Sequence, residues 1–212
     1  MFRYTNSFKE ARFLRAYFYF NLVRAYGDVP YFTEMVTTDQ VNSLTRTPAQ
    51  EIFNAIIAEC DKLSTELPAD YTKLGLDGIA PAENGRVTCY AALALKARAA
   101  LYAASPLFNP ENNKDLWRRA AEANKEVIET CTANGFKLSK YSELWGPNNW
   151  SNNEMIFVRR YNGNISTLEE YNFPMGVPGG NSGNCPTQNM VDAYEMKATG
   201  KMWNETGSGY DA

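Results

Sequence analysis

The chain has 212 residues, 44% hydrophobic and 21% charged, a globular composition that excludes a disordered chain and is long enough to bury a core without staples. Its net charge of −3 is evenly spread, with 15 basic and 16 acidic residues in 1–134 and 6 and 8 in 135–212, so no basic arm exists to bind nucleic acid. There is no histidine, which removes Ser-His and Cys-His nucleophile pairs and every His-ligated zinc, copper or haem site.

Met1 to Ser7 contains no apolar stretch of signal-peptide length, and no run approaches the roughly 18–20 apolar residues of a membrane span. The chain is therefore expected to be soluble as written and to carry no address of its own. The first helix is predicted from Ser7, its N-cap, to Tyr26, with Gly27 past its end and Pro30 forbidding continuation. Its apolar residues lie nearly all round, which predicts a central helix packed on several sides. Thr47-Pro48-Ala49-Gln50 reads as a capping box with Pro at the first helical position. Ile52, Phe53, Ile56, Ile57, Cys60, Leu63 and Leu67 follow at helical spacing until Pro68.

A third helix, rich in alanine, is predicted over 88–104 and stops before Pro106. A fourth runs from about Lys114 to Asn134, with Gly135 as its cap. These four helices form two antiparallel hairpins, and the small residues of the second pair give it a tetratricopeptide (TPR) texture. Beyond residue 134 the texture changes. Ten of the fourteen glycines lie there, and Asn148 to Asn189 holds ten asparagines. One strand is predicted from Met155 to Val158, leading into Tyr161, and one short helix from Thr187. The polar tail from Lys201 to Ala212, with Trp203 stranded in it, looks like a cut. The fold expected is mainly α: TPR-like stacked antiparallel hairpins over 7–134, then an irregular Gly/Asn-rich portion with little strand over 135–212. Four scattered cysteines (Cys60, Cys89, Cys131, Cys185) fit buried free thiols better than a metal or disulfide framework.

Glu10-Ala11-Arg12-Phe13-Leu14-Arg15-Ala16, continuing to Tyr26-Gly27-Asp28-Val29-Pro30, resembles the opening motif of the SusD/RagB family of outer-membrane glycan-binding lipoproteins. Gly85-Arg86-Val87-Thr88, Ser105-Pro106-Leu107-Phe108-Asn109, Asn153-Glu154-Met155-Ile156-Phe157 and Pro186-Thr187-Gln188-Asn189-Met190-Val191-Asp192-Ala193-Tyr194 fit the same family in the same order. The resemblance implies a TPR-like scaffold and capture of oligosaccharide at the cell surface. It also implies partnership with a TonB-dependent, SusC-like transporter barrel. Members are typically twice this length or more, so the chain is expected to be one incomplete SusD-like domain, a central piece. The family's lipid-anchored cysteine has no counterpart here, and outer-membrane localisation describes the parent protein.

Hydrolysis of a glycosidic bond needs two facing carboxylates. Glu169 and Glu170 are adjacent and point apart, Asp192 and Glu195 share a solvated helix face, and no pair stands out. A sugar site asks for flat aromatic rings beside amide and guanidinium donors. The segments around Trp145-Gly146-Pro147-Asn148-Asn149-Trp150-Ser151-Asn152, Arg160-Tyr161-Asn162 and Tyr171-Asn172-Phe173 have that mixture. Trp150, Tyr161 and Tyr171 are the candidate platforms, with Asn152 and Arg160 as hydrogen-bonding partners. Trp145 also suits a core anchor, and the asparagines also suit turns. The glycines of 176–183 match no phosphate-loop spacing and read as a loop bending close to neighbouring backbone. The function expected is non-catalytic glycan binding with no cofactor and no metal. The alternatives are a TPR-type protein-interaction scaffold and, less well supported, a helical hydrolase.

Overall fold

The computed structural model describes residues 2–71, 85–145, 152–159 and 171–210, with side chains from Asn6 onward and excluding Trp145. The chain divides into two compact units, 1–160 and 161–212. In the first unit α1 spans Phe2–Tyr26, α2 Thr38–Val41, α3 Ala49–Glu66, α4 Cys89–Ala104 and α5 Lys114–Ala133, followed by a 3-10 turn over Tyr141–Trp145. The second unit holds α6, Gln188–Asp192, opened by Thr187, whose hydroxyl accepts from the Met190 N–H.

The helices of the first unit stack in order. α3 packs along α1, α4 along α3, and α5 along α4, so the two expected hairpins lie side by side. Alanine makes this possible. Ala91, Ala92, Ala97, Ala99, Ala100, Ala103 and Ala104 of α4 are all buried, and such small side chains let helices approach closely on both flanks. The core is closed by an aromatic chain: Phe53 of α3 lies 6.4 Å from Phe20 of α1 and 5.0 Å from Phe108, and Phe20 meets Tyr102 edge-on at 5.2 Å.

The motif Gly27-Asp28-Val29-Pro30 forms the joint between α1 and α3. Gly27 ends α1 at φ +70°, a conformation that favours glycine. Val29 then pairs with Thr47 in an isolated β-bridge, and Asp28 Oδ1 accepts the Ala49 N–H at 2.8 Å. The Thr47 capping box is therefore not what opens α3. Asp28 satisfies that free donor from 21 residues away, while Gln50 donates its amide to the Ala103 and Phe108 carbonyls at the end of α4. Asp28→Ala should destabilise the chain by about 1 kcal/mol, with Asp28→Asn retaining most of the cap, as read by thermal melting.

Three expectations need correction. α1 begins at Phe2 rather than being capped by Ser7. It also leaves Phe8, Phe18 and Tyr26 67%, 59% and 73% exposed, because α3, Tyr102 of α4 and Phe157 cover only part of its circumference. The predicted strand is absent from the described residues. Asn153–Phe157 turns and bends, with no partner strand to supply a ladder, and Phe157 instead seats its ring edge-on against Phe13 at 5.4 Å. Residues 160 and 161 lie outside the described residues.

Candidate functional site

The charges of the recurring motifs are occupied in holding the fold. Glu10 of α1 takes Arg86 in a fork, Nε to Oε1 at 2.9 Å and Nη2 to Oε2 at 2.6 Å. The same guanidinium lies over the Tyr71 ring, 4.4 Å from its centroid, and the Tyr71 hydroxyl donates to the Val87 carbonyl. Arg12 bridges Glu59 and Glu66 of α3, each at 2.7 Å. The hydrogen bond from Arg12 holds the Glu59 carboxyl below the usual range, against the opposing effect of burial.

A cleft of about 320 Å³ between α3, α4 and α5 is lined by Asp61, Lys96, Arg119, Glu122 and Glu126. Burial works against the Lys96 charge, but hydrogen bonds to Asp61 and Glu126 outweigh it and raise its pKa. Arg119 donates to Asn54 at 2.7 Å. Lys96, Asp61 and Glu126 satisfy one another, and the lining has no aromatic ring on which a sugar could stack. Among the described residues no three His, Cys, Asp or Glu side chains come together to hold a metal. The thiols are all free. Burial pushes Cys60 up to about 12, and Cys89 and Cys131 are raised by the same cause, whereas Cys185 is exposed. A thiol reagent at neutral pH should label Cys185 first and Cys60 only on unfolding, as read by mass spectrometry.

Of the sugar-contact candidates, Trp150, Arg160 and Tyr161 lie outside the described residues. Asn152 belongs to the first unit, where its Oδ1 accepts from the Ser139 hydroxyl at 2.6 Å and the Glu154 N–H at 2.9 Å. That oxygen joins two loops.

Tyr171 belongs to the second unit and is 55% exposed. It opens a loop that doubles back on itself: the Ser182 N–H donates to the Phe173 carbonyl and the Asn184 N–H to the Tyr171 carbonyl. Ser182 sits at φ +50°, an uncommon conformation, while its hydroxyl accepts the Met175 N–H at 2.9 Å. The glycines bend close to neighbouring backbone, as expected. A Cβ on Gly180 would run into the Pro174 and Phe173 carbonyl oxygens, and one on Gly183 would lie 2.6 Å from Tyr171 Cδ1. The Tyr171 ring thus has one edge against the bare Gly183 backbone, and the residue stays more than half exposed.

Sequence reading singled out Tyr171 but not Gly183 or Asn184. Asn184 donates its side-chain amide to Asn172 Oδ1 at 3.0 Å. The only signal for either was the glycine cluster itself. Elsewhere in this unit Trp203, read as stranded, pairs edge-on with Tyr210 at 5.8 Å and is 40% exposed.

Comparison with known proteins agrees with this architecture. Residues 3–101 match the model of a SusD-like family described as starch-binding and associating with the outer membrane. SusD-like protein P25 of Formosa agariphila is 25% identical over 149 residues, covering 70% of this chain and 24% of that protein. A SusD-like protein of Bacteroides fragilis superposes with a TM-score of 0.67 at 28% identity, over 93% of this chain and 36% of that one. A SusD-like carbohydrate-binding protein of the same species gives 0.58 at 29% identity, over 74% and 27%. The chain thus spans about a quarter of the curated relative's length. Stacked helical hairpins, five ordered motifs and these likenesses converge on one family: residues 3–101 match its SusD-like model, and the fold is that of SusD-like proteins.

Proposed function

We propose that the protein carrying this chain captures oligosaccharides at the bacterial surface without altering them. It would act as the lipoprotein partner of a TonB-dependent transporter in nutrient uptake, with this chain as part of one larger SusD-like domain. The family description supports glycan binding and the outer membrane, and a Bacteroides fragilis relative is described as carbohydrate-binding. The observation that carries the reading onto this chain is the Tyr171 ring, half exposed and with one edge set against Gly183. A pyranose presents an apolar C–H face to such a ring, and a ring already fixed loses little freedom on binding. Trp150, Asn152, Arg160 and Tyr161 are each proposed as contacts in their own right. The second reading, a TPR-type interaction scaffold without a sugar site, draws on the exposed Phe8, Phe18 and Tyr26 of α1.

Native electrophoresis through gels containing starch or other polysaccharides separates the two. The chain should be retarded by at least one polysaccharide without releasing new reducing ends. Unretarded migration in every gel would leave the scaffold reading, and release of reducing ends would make the protein a hydrolase.

A further inference from the structure

The loop from Tyr171 to Cys185 offers more than one flat ring. Its two legs are locked at adjacent positions: Gly183 lies against the Cδ1–Cε1 edge of the Tyr171 ring, while Asn184, the next residue, joins Asn172 through their side-chain amides. The backbone repeats the pairing, since the Asn184 N–H donates to the Tyr171 carbonyl at 3.1 Å. The ring and the amide pair thus belong to consecutive residues on both legs. Both asparagines are exposed. Their mutual bond uses one amide hydrogen of Asn184 and the oxygen of Asn172. It leaves the Asn172 Nδ2 group as a donor and Asn184 Oδ1 as an acceptor, unengaged among the described residues. A donor beside an acceptor is the complement of two neighbouring hydroxyls, each of which can accept or donate.

Charge narrows the ligand further. From Tyr171 to Val191 the sequence contains no Asp, Glu, Lys or Arg, and the nearest charges preceding it in sequence, Glu169 and Glu170, are acidic. The loop supplies no cation to pair with a uronate or a sulfate, which arginine or lysine would otherwise recognise. We infer that Tyr171, Asn172 and Asn184 form one subsite for an uncharged pyranose unit of an oligosaccharide. The sugar ring stacks on Tyr171, and two vicinal hydroxyls bridge Asn172 Nδ2 and Asn184 Oδ1. Gly183 is the positioning residue, because any side chain there displaces the ring.

This inference rests on the glycan-binding reading above, and the test keeps the two apart. The full chain is applied to an array of neutral gluco-, manno- and galacto-oligosaccharides beside uronate-containing and sulfated ones, at low and high salt. Binding is expected to a neutral member, with little salt dependence because no ion pair forms. Asn172→Asp is the discriminating variant. It keeps the oxygen that holds Asn184 but replaces the free donor with a charged acceptor, so a merely structural Asn172 would tolerate it. Asn172→Asp, Asn184→Ala and Gly183→Ala should each weaken binding about tenfold, with an unchanged melting temperature for Asn172→Asp. Tyr171→Phe should bind as the parent chain does.

Loss of binding in Tyr171→Ala with none in the two asparagine variants would overturn the subsite while leaving glycan binding intact. Selective binding of acidic glycans would overturn it as well. Binding to no glycan at all would overturn both readings together.

Discussion

Replacing Phe53 with alanine is expected to cost about 3–5 kcal/mol, the largest single effect on this fold. Phe53 is fully buried on α3 and touches aromatic rings from two other segments, Phe20 of α1 and Phe108 beyond α4. Truncation removes the transfer free energy of the ring and leaves a cavity that three stacked helices close only in part. Against a net stability of about 5–15 kcal/mol for a typical domain, that loss is a large share of the whole. Urea denaturation followed by circular dichroism reads it as a lower midpoint. Phe53→Leu keeps most of the volume and should cost much less. A shift of under about 1 kcal/mol for Phe53→Ala would show that α1, α3 and the turn after α4 do not share one core.

The second large effect is expected at Arg12. Arg12→Ala leaves Glu59 without its closest donor and removes the bond to Glu66, two contacts of 2.7 Å. Because both partners retain some solvent, the expected cost is about 2 kcal/mol rather than that of a fully buried pair. The pH dependence carries its own sign. Arg12 lowers the Glu59 pKa in the folded chain, so the pair contributes stability above the unfolded glutamate value of about 4.3. That contribution is lost as the pH falls through the lower folded value. Arg12→Ala should therefore lower stability near neutrality and flatten the acid limb of the stability profile. An unchanged acid limb would place the stabilisation elsewhere.

The four long helices were legible in the sequence because each one announces itself locally, whereas the single turn of α2 carries no apolar period and went unpredicted. The 3.6-residue spacing of Ile52, Phe53, Ile56, Cys60 and Leu63 predicts a buried face, and all five are buried. What the sequence hides is anything supplied from a distance. Asp28 caps α3 across 21 residues, and no local pattern marks it for that task. Met155 to Val158 has strand-forming residues, but a strand needs a partner, and the neighbouring element is helix α1, into which Phe157 sets its ring. The all-round apolar pattern of α1 predicts packing on several sides, yet it cannot say which neighbours are present. At the site, the aromatic residue was visible as Tyr171. The glycine against its edge was not, since a glycine contributes no side chain and shows its purpose only through what a Cβ would strike.

The ordered motifs carry a related lesson. Glu10, Arg12, Asp28 and Arg86 belong to the recognisable pattern of the chain, and every one of them is spent on holding the helices together. The half-exposed ring of Tyr171 stands outside those motifs, on a loop that stays close to helix α6 in sequence.

The central claim, that this chain contributes a sugar-binding platform, is tested most directly by titrating the retarding oligosaccharide into the parent chain and Tyr171→Ala by calorimetry. Losing one aromatic contact of about 1–1.5 kcal/mol corresponds to about a tenfold loss of affinity. The account predicts that loss with a nearly unchanged melting temperature, because the ring is half exposed and lies outside the helical core. Unchanged affinity together with a lowered melting temperature would make Tyr171 a packing residue and contradict the account.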